Sequence, residues 1–101
     1  MNAIPDRFSL PPEQREHRRQ RLRLAGELIT GSGTRRVHIL NLSPEGAQLD
    51  ADEAPAMGEA VRLCRGAIDA PGTVVWIDEH RFGITFAEPI LPELIDRRFS
   101  A

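Results

Sequence analysis

Residues 73 to 86 constrain the fold more than any other part of the sequence. Phe82, Ile84 and Phe86 alternate with Arg81, Gly83 and Thr85, and just before them runs Thr73-Val74-Val75-Trp76-Ile77. A side-chain period of two marks a strand with one face buried, and a short β-branched and aromatic run marks a buried strand beside it. Asp78-Glu79-His80 lies between them as turn chemistry, so the two runs predict an antiparallel hairpin. Trp76 and Phe86 read as core residues, and Gly83 as a point of close backbone approach within the hairpin.

The rest of the chain supplies partners for that hairpin. Leu22, Leu24 and Leu28 fall at even spacing and Gly31-Ser32-Gly33 follows, which predicts a first strand over 22–30 and a turn. The run 35–42, RRVHILNL, predicts a second strand, ended by Ser43-Pro44-Glu45-Gly46, and 47–50 predicts a short third. An acidic loop with Pro55 and Gly58 then leads to a fourth strand at 59–65, with Val61 and Leu63 facing inward. Pro71-Gly72 precedes the closing hairpin. After Pro89, the residues Leu91, Leu94, Ile95 and Phe99 recur at helical spacing with Pro92 near the start, predicting a short helix over 91–99. Six short strands with regular turns predict an all-β fold: a six-stranded antiparallel β-barrel over 22–88 with a short C-terminal helix.

Length leaves room for one core only, since 101 residues with 41% hydrophobic content describe a single small domain over 15–101 that needs neither disulfide nor metal to fold. Residues 1–14, with Pro5, Pro11 and Pro12 and no period, read as a flexible lead-in. The single Cys64 has no partner for an internal bridge, and no basic stretch followed by an apolar core opens the chain, so the expected location is cytoplasmic. No apolar run approaches the roughly 18 residues of a membrane span, so no membrane insertion is expected.

Charge is distributed unevenly. Residues 1–36 hold eight Arg against four acidic residues, whereas residues 37–101 hold five Arg against eleven. Arg15, Arg18, Arg19, Arg21 and Arg23 fall within nine positions, an Arg-rich arm over 15–23 whose planar forks can bind phosphate or the N7/O6 edge of guanine bidentately. A solvated basic tail is the plain alternative. Enzyme chemistry has no comparable support. His17, His38 and His80 fall in different elements, no HxxxH, CxxC or HExxH spacing makes a metal cage, and neither GxSxG nor a phosphate-binding glycine loop is present.

Two segments carry the functional signal. The arm contains Arg-x-x-x-Arg twice, as Arg15 with Arg19 and as Arg19 with Arg23, and Asn41-Leu42-Ser43-Pro44-Glu45-Gly46 stands at the turn that ends the second strand. In this order they resemble the PilZ family, bacterial receptors for cyclic di-GMP marked by RxxxR before the first strand and [DN]xSxxG after the second. The resemblance extends over about residues 15–90: Gly46-Ala47-Gln48-Leu49 is similar to the family's glycine and apolar strand, and Val74-Val75-Trp76 with Phe82–Phe86 to its closing hairpin.

That resemblance implies a PilZ-type barrel with no enzyme activity and no cofactor, whose ligand is cyclic di-GMP. The implied ligand-binding residues are Arg15, Arg18, Arg19, Arg23, Asn41, Ser43 and Gly46. Arg can bridge guanine N7 and O6 and stack on the base, Asn41 offers an amide and Ser43 a hydroxyl, and Gly46 lets the turn take positive φ and the ligand approach closely. Asn41 and Ser43 could equally close the strand through local turn hydrogen bonds. The arm pairs either as Arg19 with Arg23 or as Arg15 with Arg19; Arg19 belongs to both pairs, and Arg21 points away in either. The neighbouring Arg18 would allow two intercalated ligand molecules. The implied mechanism is an ordering switch: a loose, self-repelling arm folds over the barrel on the ligand and presents a new surface to an unidentified effector protein, in motility, biofilm or exopolysaccharide control. Two rivals are a PilZ-like adaptor that binds no nucleotide and a small barrel that binds single-stranded nucleic acid. The latter is disfavoured by an aromatic content of 5% and an acidic remainder of the chain.

Overall fold

The structure, a computed structural model, describes residues 23–95. The lead-in 1–14, arm residues 15–22 and the last part of the expected helix, 96–99, lie outside the described residues. Six strands make up the body: β1 (Leu24–Thr30), β2 (Gly33–Ser43), β3 (Gly46–Asp50), β4 (Ala60–Arg65), β5 (Ile68–Asp78) and β6 (Arg81–Phe86). All pairings are antiparallel in the order β1-β2-β3-β6-β5-β4, and β4 pairs back onto β1 to close a barrel. The expected six-stranded all-β barrel is what the chain forms.

Alternation sets what goes inside. In β1 Leu24, Gly26, Leu28 and Thr30 are buried while Ala25, Glu27 and Ile29 are exposed. The inner faces of all six strands meet in one apolar cluster in which Leu28, Ile39, Leu49, Leu63, Phe82 and Ile84 are fully buried. Each such side chain contributes about 1.5–3 kcal/mol relative to exposure, and closure leaves no open sheet edge. Thr30, buried at the β1–β2 turn, donates its hydroxyl to the Gly33 carbonyl at 3.1 Å and accepts from the Ser32 N–H at 3.1 Å.

β5 begins five residues before the expected 73, because Pro71-Gly72 is strand rather than turn. A residue's N and C=O point to the same side of a strand. The Pro71 carbonyl accepts from the Ala87 N–H at 2.9 Å, on the β6 side, so the missing N–H breaks no bond to β4. After β6 the chain makes a 3-10 turn at Pro92–Leu94 where the helix was expected, and Ile90, Leu94 and Ile95 pack against the core. Among the described residues no helix is long and apolar enough to cross a membrane.

The loop between β3 and β4 is tied to the barrel by Glu59. Its carboxylate accepts from the Ala56 N–H at 3.0 Å and the Gly31 N–H at 3.2 Å, and these backbone bonds hold its pKa below the usual carboxylate range. A carboxyl whose pKa is lowered on folding stabilises the fold above its unfolded pKa and loses that contribution as pH falls through the folded value. Thermal melts between about pH 6 and pH 3 should therefore show a steeper loss of stability for the wild type than for Glu59→Gln, with the two curves converging at the acid end.

Candidate functional site

Two bulges decide which side chains reach the outer surface of β2, β3, β6 and β5. In β2 the inward residues Val37 and Ile39 are followed by an irregularity at Leu40, since Ile39 pairs with Leu49 and Asn41 with Gln48. The extra residue reverses the faces beyond it, so Leu42 joins the core and Asn41 and Ser43 turn outward. β5 does the same at Val75: Val74 pairs with Ile84 and Trp76 with Gly83. Trp76 therefore is buried as expected, at 7% exposure, but on the outer side of the sheet and outside the interior cluster.

The register then aligns two rows across four strands. One runs Asn41, Gln48, Gly83, Trp76, and the next runs Ser43, Gly46, Thr85, Thr73. Gln48 is buried to 7% exposure, and the Trp76 indole Nε1 is buried with no hydrogen-bond partner among the described residues. A buried donor left unpaired costs about 1–3 kcal/mol, an unusual expense on a barrel's outer face.

Each motif residue has a definite local setting. The Asn41 Oδ1 accepts from the Leu42 N–H at 2.8 Å, which leaves the amide NH2 as its outward donor. The Ser43 hydroxyl accepts from the Glu45 N–H at 3.3 Å and donates to the Glu45 carboxylate at 3.1 Å, so the local serine turn is present. The turn is held from behind: the Phe86 N–H donates to the Glu45 carbonyl at 2.8 Å and the Ile90 N–H to the Pro44 carbonyl at 2.9 Å. Gly46 does not adopt the expected positive φ, which occurs instead at Gly33, Gly58 and Gly66. Its missing Cβ serves packing: a Cβ there would collide with the Ile84 carbonyl oxygen and lie 3.3 Å from the Thr85 Cα.

Of the four arginines expected at the site, Arg15, Arg18 and Arg19 lie outside the described residues. Arg23 is present, immediately before Leu24, which pairs with Ile39 at the β2 bulge. Its Nη1 makes an ion pair of 2.8 Å with Asp50 Oδ2 on β3, two residues along from Gln48. The structure thus brings Arg23, Asn41, Ser43 and Gly46 to one side of the barrel. Beyond Asp50 opens a cleft of about 450 Å³ lined by Asp50, Asp52, Asp78, Glu79, His80 and Arg81, whose four carboxylates repel an anion. Among the described residues no cluster of three or more His, Cys, Asp or Glu side chains is arranged to hold a metal.

Sequence reasoning missed Gln48, Trp76 and Thr85 as members of this face. The signal was there for Gln48, which shares the parity of Gly46 against Ala47 and Leu49. It was hidden for Trp76, because the unbroken apolar run Val74–Ile77 conceals the bulge.

Close packing of β3 on β6 at Gly46 makes a strong demand on that position. Gly46→Ala should lower unfolding free energy by about 1–3 kcal/mol in urea titrations through overpacking against backbone. Gly31→Ala, whose Cβ would meet only the Glu59 carboxylate at 3.8 Å, should change it by much less.

Among known proteins, no curated sequence and no solved structure matches this chain. The family model described as PilZ domain does match, over residues 13–98, which takes in the Arg-rich segment, all six strands and the Asn41–Gly46 turn. The chain belongs to the PilZ domain family.

Proposed function

We propose that this protein is a cyclic di-GMP receptor without catalytic activity, acting in the cytoplasm, and that ligand binding orders its Arg-rich segment against the outer face of β2 and β3. The observation that carries the reading is the convergence of Arg23 with Asn41, Ser43 and Gly46 on that face, in a chain of the PilZ family. Cyclic di-GMP presents two phosphates and two guanines, and each guanine offers N7 and O6 on one edge. The face offers matching donors. Arg23 contributes a guanidinium fork, Asn41 an amide NH2, and Ser43 a hydroxyl. Gly46 keeps β3 tight on β6, so the turn that bears Ser43 is a fixed platform rather than a hinge.

Arg15, Arg18 and Arg19 precede Arg23 by no more than eight residues and are the further cations within reach of the same ligand. The phosphates neutralise the like charges of this segment, and the ordered segment with the β2–β3 face forms the surface that an effector protein reads. The pathways implied by the family are motility, biofilm and exopolysaccharide control.

Calorimetric titration tests the reading. Cyclic di-GMP should bind the wild type with Kd of micromolar or below, about −8 kcal/mol or better, and GTP and cyclic di-AMP should not compete. Arg19→Ala and Ser43→Ala should each weaken binding at least tenfold. Trp76 is the single tryptophan and lies in the Asn41 row, so its emission should shift on binding. Absence of heat and of any emission change at millimolar ligand would sink the receptor reading in favour of a nucleotide-free adaptor.

A further inference from the structure

Two of the three donors offered to the ligand, Ser43 and Arg23, are already engaged in the structure, each by a carboxylate of this chain. The Ser43 hydroxyl donates to Glu45 at 3.1 Å, and Arg23 donates to Asp50 at 2.8 Å. A hydroxyl has one proton to give, so Ser43 cannot serve Glu45 and a phosphate or base acceptor at once. Arg23 keeps further N–H groups, but its charge is balanced by Asp50 for as long as the pair persists.

Resting on the receptor reading above, we infer that Glu45 and Asp50 are affinity-setting residues, resident anions that hold Ser43 and Arg23 in the ligand-free protein and must be displaced by cyclic di-GMP. Displacement is easy on both sides. The Arg23–Asp50 pair is solvated, with side chains 42% and 20% exposed, and such pairs are weak. Asp50 also has a second cation in place, since Arg81 is its cross-strand partner on β6 and makes no ion pair among the described residues. Glu45 is fixed only through its backbone, whose carbonyl accepts from the Phe86 N–H at 2.8 Å and the Thr85 hydroxyl at 3.4 Å. Its carboxylate can swing away while the turn stays put, and the Ser43 oxygen keeps its bond from the Glu45 N–H. The pair of carboxylates therefore sets a threshold rather than a block: a dianion carrying two guanines displaces both, whereas an isolated phosphate gains too few contacts to do so.

The test is titration of cyclic di-GMP into the wild type, Glu45→Gln, Asp50→Asn, the double variant and Asp52→Asn as a charge control. Each single variant should bind about two- to fivefold more tightly, the range an exposed ion pair can account for, and the double variant by roughly the product. Asp52→Asn removes the same charge two residues away without touching a donor and should stay within twofold of the wild type. Tighter binding is a readout that structural damage would not produce, and melts of the free variants check that the fold is intact. Unchanged or weaker binding by both single variants, with the wild type still binding, overturns this inference alone. An equal gain in Asp52→Asn also overturns it, by assigning the effect to general charge. Binding by no variant overturns the receptor reading and this inference together.

Discussion

A closed six-stranded barrel admits only alternate side chains of each strand to its interior, and everything on its outer surface follows from which alternate is chosen. In this chain the choice is reversed partway along two of the six strands, at Leu40 in β2 and at Val75 in β5. Without the first bulge Asn41 and Ser43 would point into the apolar cluster and Leu42 into water, an arrangement that would leave polar groups buried without partners. Without the second, Trp76 would compete for an interior already filled by Phe82, Ile84 and Phe86. The bulges convert a uniform barrel into one with a polar and aromatic face on one side.

The same constraint explains what the sequence disclosed and what it withheld. Strands with strict alternation were legible: Phe82, Ile84 and Phe86 in β6 and Leu24 and Leu28 in β1 stand inside as their parity requires. Parity failed where a strand slips by one residue. Ile39-Leu40-Asn41-Leu42 is apolar but for Asn41 and Val74-Val75-Trp76-Ile77 is apolar throughout, and neither reveals on paper which residue is the extra one. Pro71 misled for a different reason, because its tolerance depends on which neighbour its nitrogen faces, a property of three-strand register rather than of local sequence. At the candidate site the residue types of the Asn41–Gly46 motif were readable. The reason for Gly46 was not, since its need comes from the backbone of Ile84, almost forty residues away in the chain.

Backbone hydrogen bonds from elsewhere in the chain converge on the turn that bears Ser43. The last residue of β6, Phe86, gives its N–H to the Glu45 carbonyl and Ile90 in the segment after β6 gives its N–H to the Pro44 carbonyl, while Ile90 and Leu94 seat that segment on the core. Backbone groups at a turn that are bonded to another strand and its extension cannot drift independently of the barrel. The side chains there remain free to exchange partners. A platform of fixed backbone with exchangeable side-chain bonds suits the proposed exchange, in which Ser43 and Arg23 would trade the carboxylates of Glu45 and Asp50 for the phosphates and guanines of the ligand at little cost in chain order.

On the proposed reading, charge gives the N-terminal segment its role. Residues 23–95 hold six Arg and eleven acidic residues, a net of −5, so the barrel as a whole repels a dianion. Attraction has to be local. Arg23 is the cation at the edge of the face, Asp50 cancels it, and the acidic cleft beyond Asp50 adds repulsion on that side. Residues 15–21 carry four more Arg against one Glu, the densest positive charge in the chain, and only Leu22 separates them from Arg23. Within a Debye length of about 8–10 Å, only charges near the face count, and these four arginines outweigh Glu45 and Asp50 there if they reach it. On the proposed reading, an acidic body preceded in sequence by a basic segment would be selective: the barrel repels stray anions, and an anion able to engage the segment and the face together would gain more than it loses.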